Sequence, residues 1–169
     1  YGENVLEVSK KGLALMNGMQ YAGVLACAKH FPGHGDTESD SHKMLPLISH
    51  DRASIDSLDL PPFKQLIDGG VASVMVAHLN IPSLDSTKNR ACTLSPVIVD
   101  SLLVQELNFK GLIFTDALNM KGVSSFYDSG RLEVEALRAG NDVLLFPEDI
   151  PAAFEAILVA IEDSILTID

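Results

Sequence analysis

Short apolar runs alternate along the chain with longer segments in which apolar residues recur at helical spacing. The spacing predicts helices over residues 3–20, 60–67, 96–108, 132–139 and 151–162, and the apolar runs predict strands over residues 24–28, 73–77, 111–115 and 143–146. Each predicted strand is apolar throughout, which is typical of a strand covered by helices on both faces. The pattern therefore predicts an α/β fold in which parallel strands alternate with helices.

Proline, serine and glycine mark where the predicted helices begin and end. Pro61 and Pro62 are expected to open the second helix, because the missing proline N–H has no partner in a first helical turn. Ser95 can cap the third helix, and Gly140 closes the fourth. No charge run or linker divides the chain, so residues 1–169 are interpreted as a single domain or part of one.

The composition narrows the class of partner. The 169 residues are 47% hydrophobic, and 23 acidic against 12 basic residues give a net charge of −11. Because the basic residues are scattered, nucleic acid and anionic membranes are not expected partners. No apolar run approaches the roughly 18 residues that indicate a membrane span. The two cysteines, Cys27 and Cys92, lack metal-ligand spacing and leave the compartment open.

Length and glycine pattern bear on the architecture and on cofactors. Four strands cannot close a (β/α)8 barrel, which typically needs about 250 residues. An open, doubly wound sheet would fit the length, but it should carry a glycine-rich phosphate loop after its first strand. The glycines there, Gly33 and Gly35, enclose a histidine and precede an acidic stretch. Neither feature suits a phosphate group, so no nucleotide cofactor is expected.

Polar and ionisable residues follow the predicted strands. The carboxyl ends of parallel strands converge on one edge of a sheet, where α/β folds place their active sites. A single histidine or aspartate there is as often a loop-capping residue, but several on successive strands indicate a site. The residues concerned are Lys29, His30 and His34 after the first strand, His78 and Asn80 after the second, and Asp116 and Asn119 after the third.

The segment after the first strand contains a specific motif. Residues 29–37 read KHFPGHGDT, and residues 40–42 read DSH. This run resembles the signature of the β-N-acetylglucosaminidases of glycoside hydrolase family 3. Residues 76–79, VAHL, and residues 114–120, FTDALNM, resemble the strand-end motifs that follow in the same order in that family. The resemblance covers nearly the whole chain and implies about half of a (β/α)8 barrel, its C-terminal half.

The resemblance also implies roles for five residues. Asp116 corresponds to the nucleophile, which forms a covalent glycosyl-enzyme that water later cleaves with net retention. Lys29 and His30 correspond to residues that hydrogen-bond the sugar hydroxyls. His42 corresponds to the general acid/base, with Asp40 as its orienting partner. The implied reaction needs no metal and no other cofactor.

A histidine suits the acid/base role on chemical grounds. Its unperturbed pKa of about 6.5 lies where a proton can be both donated and recovered near neutral pH. An adjacent carboxylate would fix its tautomer and raise its basicity. From the residues alone, the polar stretch 37–43 is equally well a solvated surface loop, and the resemblance is what favours His42 and Asp40 as catalytic residues. His34 is interpreted as a structural part of that loop.

The substrate that the resemblance implies is a terminal β-linked N-acetylglucosamine, commonly on peptidoglycan fragments from cell-wall turnover. The family also binds the sugar with an arginine and an aspartate from the earlier half of the barrel, and no corresponding region is present here. We expect weak or no activity from the chain alone, because positioning contributes a large share of rate enhancement. The missing half of the barrel is expected to be needed, and both a cytoplasmic and an exported location remain open.

Two other functions fit some of the same residues. A metal-dependent hydrolase on a similar barrel would gather ligands from several strands, using His30, His34, His78 and Asp116. The lack of an HxH or HExxH pair argues against it. A non-catalytic sugar-binding remnant would keep the strand-end residues without a complete site.

Overall fold

The computed structural model of the protein describes residues 2–34 and 45–168. The helices are α1 (Val5–Tyr21), α2 (Arg52–Ser54), α3 (Leu60–Asp68), α4 (Lys121–Ser124), α5 (Arg131–Ala139) and α6 (Ile150–Glu162), and the strands are β1 (Cys27–Phe31), β2 (Ser73–Val76) and β3 (Leu112–Thr115). A π-helical turn, Ile55–Asp59, joins α2 to α3, a short 3₁₀ turn covers Cys92–Leu94, and a longer π-helix covers Val97–Glu106.

The three strands form one parallel sheet in the order β1–β2–β3. The pairing of β2 with β3 is in unbroken register, from Ser73 opposite Leu112 to Val76 opposite Thr115. In the central strand, Val74 and Val76 are fully buried. The sequential order is that of neighbouring strands in a (β/α)8 barrel. The predicted α/β class, with parallel strands alternating with helices, is confirmed.

The first strand begins three residues later than the predicted range 24–28. The start of that apolar run is bonded to the end of α1, because Val24 N–H donates to Met19 O at 2.9 Å. Bonding toward β2 starts only where Ser73 N–H donates to Ala26 O at 3.1 Å. The apolar run therefore supplies a connection as well as a strand, which its composition does not reveal.

The predicted end of the first strand at residue 28 was wrong, because β1 continues through Lys29 and His30 to Phe31. The register of β1 against β2 shifts between Ala28 and Phe31. Lys29 and His30 stand there against one residue of β2, which is the arrangement of a β-bulge. Bulges change the direction of side chains at the rims of sheets and next to active sites. The loop begins only at Pro32.

The predicted fourth strand, residues 143–146, is reduced to a single parallel bridge to β3 at Val143. Further along, Leu145 N–H donates to a side-chain oxygen, Thr115 Oγ1, at 2.9 Å instead of to a backbone carbonyl of β3. Phe146 then adopts a positive φ of 48°, which no extended strand allows. The segment still runs alongside β3, but its hydrogen bonding is too irregular for a strand.

The helix predicted for residues 60–67 is confirmed as α3, Leu60–Asp68, and Pro61 and Pro62 lie in its first turn as expected. The π-helical turn and α2 precede it, and Asp51 Oδ1 caps α2 by accepting from Ser54 N–H at 2.8 Å. The other predicted helices lie within two residues of the observed bounds. No helix within residues 2–34 and 45–168 is long and apolar enough to cross a membrane.

The apolar core has a main cluster around the sheet and a smaller one near its C-terminal edge. In the main cluster the Phe31 ring meets the Phe63 ring edge-on at 5.2 Å, which joins β1 to α3. The smaller cluster includes Leu118, Val123 and Leu132. Leu118 is fully buried, so this cluster supports the backbone directly after β3.

Replacing Gly111 with alanine should destabilise the fold by about 1–3 kcal/mol, because overpacking forces the backbone to shift. A Cβ at Gly111 would overlap Ala72 O and lie 2.8 Å from Phe109 Cζ. The matched control is Gly18→Ala in α1, where a Cβ meets nothing within 4 Å. Alanine there should stabilise by about 0.5–1 kcal/mol. Chemical denaturation of both variants measures the two signs, and equal effects would contradict this packing.

Candidate active site

Asp116 is the residue directly after β3, and hydrogen bonds fix both its backbone and its side chain. Its N–H donates to Val76 O at 3.0 Å, which ties the end of β3 to the end of β2. Its Oδ1 accepts from Ala117 N–H at 2.8 Å. The side chain is 15% exposed, and Oδ2 accepts no hydrogen bond from the described residues. The carboxylate is therefore oriented through one oxygen while the other is available to a ligand.

The β-bulge of β1 brings His30 beside this carboxylate. His30 Nε2 lies 4.0 Å from Asp116 Oδ2, and 30% of the His30 side chain is exposed. That separation exceeds hydrogen-bond length, so each group retains the capacity to bond a molecule between or above them. The His30 and His34 rings meet edge-on with centroids 5.8 Å apart. The structure thus brings together three of the predicted strand-end residues, His30, His34 and Asp116.

The surroundings of His30 favour its neutral form. Burial lowers the pKa of His30 below its ordinary value of 6.5, the charges of Lys29 and His34 act in the same direction, and the Asp116 carboxylate opposes them. A neutral imidazole has one donor and one acceptor nitrogen, which suits hydrogen bonding to sugar hydroxyls. Lys29, on the same bulge, is exposed to solvent.

His78 lies behind the site and faces no solvent. Its ring is fully buried. Its Nε2 lies 3.0 Å from Ala117 O, and its Nδ1 lies 2.7 Å from Thr93 Oγ1. Both ring nitrogens are occupied within the protein, so His78 presents no atom to a metal. His78 is therefore unavailable as one of the four metal ligands that the metal-dependent hydrolase hypothesis requires. Burial lowers the pKa of His78, against the hydrogen bond to Ala117 and the charge of Asp116.

The other predicted strand-end residues do not join the site. Asn80 is buried, and its side-chain nitrogen donates to Arg90 O at 3.0 Å, so it holds the loop after β2. Asn119 is exposed, and its backbone N–H donates to Phe146 O at 3.1 Å. Asp40 and His42, the proposed acid/base pair, lie outside the described residues. Within the described part of the chain, no group of three His, Cys, Asp or Glu side chains could hold a metal ion.

Comparison with known proteins places this geometry in a family. The model of the glycosyl hydrolase family 3 N-terminal domain matches residues 1–169. The chain belongs to glycosyl hydrolase family 3. It is 41% identical over 157 residues to β-hexosaminidase A of Pseudoalteromonas piscicida, covering 87% of this chain and 26% of that protein. It is 37% identical over 138 residues to a β-hexosaminidase of Methylobacillus flagellatus, covering 82% and 39%.

A solved family 3 structure shows the same fold. The β-N-acetylglucosaminidase of Paenibacillus sp. str. FPU-7 superimposes with a TM-score of 0.90 at 41% identity, over 94% of this chain and 31% of that one. The resemblance read from the motifs is therefore confirmed. The chain spans only 26% and 39% of the two curated relatives, so these family 3 proteins are much longer than the region described here.

Two buried polar residues of this chain were not identified by the sequence predictions. Thr93 is fully buried between His78 and the end of β2, where its hydroxyl lies 2.9 Å from Ala77 O. Asn141 is 4% exposed, and its side-chain nitrogen donates to Thr93 O at 2.8 Å. Neither follows a predicted strand, and Thr93 belongs to a turn far from His78 in sequence. Only the folded contacts identify them.

The free energy of unfolding should decrease as pH falls below 6.5, because His30 and His78 both have a pKa lowered from that value in the folded state. Below pH 6.5 the unfolded chain therefore binds more protons than the folded chain. The stability that is present above pH 6.5 is lost as the pH falls toward the folded-state pKa values of these histidines. Asp51 and Asp85, whose pKa values are lowered from 3.8, act only in more acidic solution.

Urea denaturation between about pH 7.5 and 5 measures this slope. His78→Gln removes one of the two titrating groups, so its slope should be shallower than that of the wild type. A flat profile for the wild type, or an unchanged slope in the His78 variant, would contradict the assignment.

Proposed function

We propose that the protein containing this chain is a retaining β-N-acetylglucosaminidase in which Asp116 is the nucleophile. The observation that supports this most is the carboxylate of Asp116 at the end of β3, half-enclosed and oriented by Ala117 N–H through Oδ1 at 2.8 Å. A nucleophile must be held at a fixed angle and still offer a lone pair. Oδ2 meets that need, because it accepts no hydrogen bond from the part of the chain that the structure describes. Family membership and the names of the matched relatives support the glycosidase reaction.

In the proposed first step, Asp116 Oδ2 attacks the anomeric carbon as the bond to the leaving oxygen breaks. His42 donates its proton to that oxygen, and a covalent glycosyl-enzyme results. In the second step, His42 takes a proton from water, which displaces Asp116 and retains the anomeric configuration. Asp40 would orient His42. These two residues are assigned from the motif, since they lie outside the described residues.

His30 and Lys29 are proposed to bind the sugar hydroxyls. The position of His30, with Nε2 at 4.0 Å from Asp116 Oδ2, supports this role, because a hydroxyl of the bound sugar could lie within reach of both. Lys29 shares the bulge and adds a cationic donor. The proposed substrate is a terminal β-linked N-acetylglucosamine, on peptidoglycan fragments in particular. We propose that the chain alone has weak or no activity, since it spans only 26% and 39% of the two curated relatives.

In the full-length enzyme, Asp116→Asn should reduce kcat for an aryl N-acetyl-β-glucosaminide by at least ~10³-fold, as expected on removal of a covalent nucleophile. Asp142→Asn is the matched control, because Asp142 Oδ2 accepts from Ile113 N–H at 2.8 Å near the opposite end of β3. This control should keep a kcat near that of the wild type. Turnover by the Asp116 variant at the wild-type rate would contradict the proposal, and binding without turnover in the wild type would favour a sugar-binding remnant.

His42→Ala should slow substrates with poor leaving groups far more than activated ones, because only a poor leaving group needs a proton from the enzyme. Steady-state kinetics on a series of aryl N-acetyl-β-glucosaminides of graded leaving-group pKa measures the difference. The dinitrophenyl substrate is the internal control, since its phenolate leaves without assistance. An equal loss across the series would remove His42 from the acid/base role.

A further inference from the structure

A buried chain of polar contacts leads from the end of α5 to the carboxylate of Asp116. Asn141 donates to Thr93 O at 2.8 Å, and the Thr93 hydroxyl lies 2.7 Å from His78 Nδ1. His78 Nε2 lies 3.0 Å from Ala117 O, and Ala117 N–H donates to Asp116 Oδ1 at 2.8 Å. Asn141, Thr93 and His78 are all buried. No ligand would touch them, so any effect on a ligand passes through Asp116.

The partners of His78 determine which ring nitrogen has the proton. A carbonyl oxygen can only accept, so Nε2, at 3.0 Å from Ala117 O, must be the donor. In the neutral ring Nδ1 is then an acceptor. The single proton of the Thr93 hydroxyl has two acceptors within reach, Nδ1 at 2.7 Å and Ala77 O at 2.9 Å, and only its donation to Nδ1 matches a proton on Nε2. Burial, which lowers the pKa of His78, favours this neutral form. The Ala117 carbonyl thus selects the tautomer of His78, and the Thr93 hydroxyl supports it when its proton is directed to Nδ1.

The backbone of Ala117 is the link between His78 and the carboxylate. Its carbonyl is bound by His78, and its N–H binds Asp116 Oδ1. The next residue, Leu118, is fully buried and its N–H donates to Leu145 O at 2.8 Å. The carbonyl and the N–H of Ala117 lie in successive peptide planes that share its Cα. Loss of the His78 bond would leave the second plane held by Leu118 N–H alone, and a shift of the Ala117 Cα would then move the N–H that orients Asp116.

We propose that His78 is a positioning residue for Asp116, holding the Ala117 carbonyl through Nε2–H so that the carboxylate keeps the angle required for attack. Thr93 assists by donating to Nδ1, which leaves the ring proton of His78 on Nε2. This inference rests on the proposed function, since it assigns to His78 the geometry of the proposed nucleophile. His78 touches neither the sugar nor the reacting atoms, and its role is separate from that of His30.

Two amide substitutions separate the two bonds of the His78 ring. Asparagine places its side-chain nitrogen near the position of Nδ1, so His78→Asn loses the donor to Ala117 O. Glutamine reaches about as far as Nε2, so His78→Gln can keep it. In the full-length enzyme, kcat should fall ~10²-fold in the Asn variant and stay within ~10-fold of the wild type in the Gln variant, with KM changed less than ~3-fold in both.

Thermal unfolding of the same variants distinguishes positioning from stability. Each substitution removes one bond from a buried ring, so both should lower the melting temperature by similar amounts. Asn80→Ala is the matched control, because Asn80 is a buried polar residue after the same strand that donates to Arg90 O at 3.0 Å. It should lower the melting temperature without the loss of kcat. If kcat follows the melting temperature across the three variants, the positioning role is overturned.

A second pair covers the case in which the His78 variants fail to fold. Thr93→Val removes the hydroxyl at nearly constant shape, and Thr93→Ser keeps it. The Val variant should lose ~10-fold in kcat, and the Ser variant should stay within ~3-fold of the wild type. Equal kcat values for the pair would overturn the inference.

Wild type and Asp116→Asn are measured in the same series. An inactive wild type, or full turnover by the Asp116 variant, overturns the proposed function and this inference together. If both behave as proposed but His78→Asn and His78→Gln have the same kcat, only the inference fails.

Discussion

Parallel hydrogen bonding that continues past the strand ends is the constraint on which the site depends. Ala77 N–H donates to Phe31 O at 2.8 Å, and Asp116 N–H donates to Val76 O at 3.0 Å, so the residues after β1, β2 and β3 stay in step beyond the strands. Side chains from separate parts of the sequence therefore meet at one edge. The bulge at Lys29 and His30 then changes the direction of the first strand's contribution at that edge.

Much of this fold follows from local sequence, because buried parallel strands are short, apolar and separated by amphipathic helices. The range 73–77 predicted β2 to within one residue. The range 143–146 has a similar apolar composition but forms only a single bridge. Leu145 N–H donates to the Thr115 hydroxyl rather than to a backbone carbonyl, and Phe146 has a positive φ. Hydrogen bonds from a distant side chain are not encoded in the apolar run itself, so periodicity could not detect the difference.

The candidate site was also predicted only in part from the sequence. Strand-end position and motif pointed to Asp116 and His30, and the structure brings them within 4.0 Å of each other. The sequence also marked His78, but its position after a strand suggested a ligand-facing group, whereas its ring is fully buried. Which way a strand-end side chain points depends on packing between layers. Thr93 and Asn141 enter only through that packing, and this is why the support of the carboxylate is visible in the fold alone.

The proposed chemistry needs a carboxylate that is fixed and yet open. Asp116 meets both conditions, because Oδ1 accepts from Ala117 N–H and Oδ2 accepts no hydrogen bond from residues 2–34 and 45–168. The most direct test treats the full-length enzyme with a fluorinated N-acetylglucosaminyl fluoride, whose fluorine substituent slows hydrolysis of a glycosyl-enzyme. Mass spectrometry of the peptides then locates the adduct. We predict one sugar per enzyme, attached to the peptide that contains Asp116. An adduct on another residue, or hydrolysis with inversion and no adduct, would contradict the account.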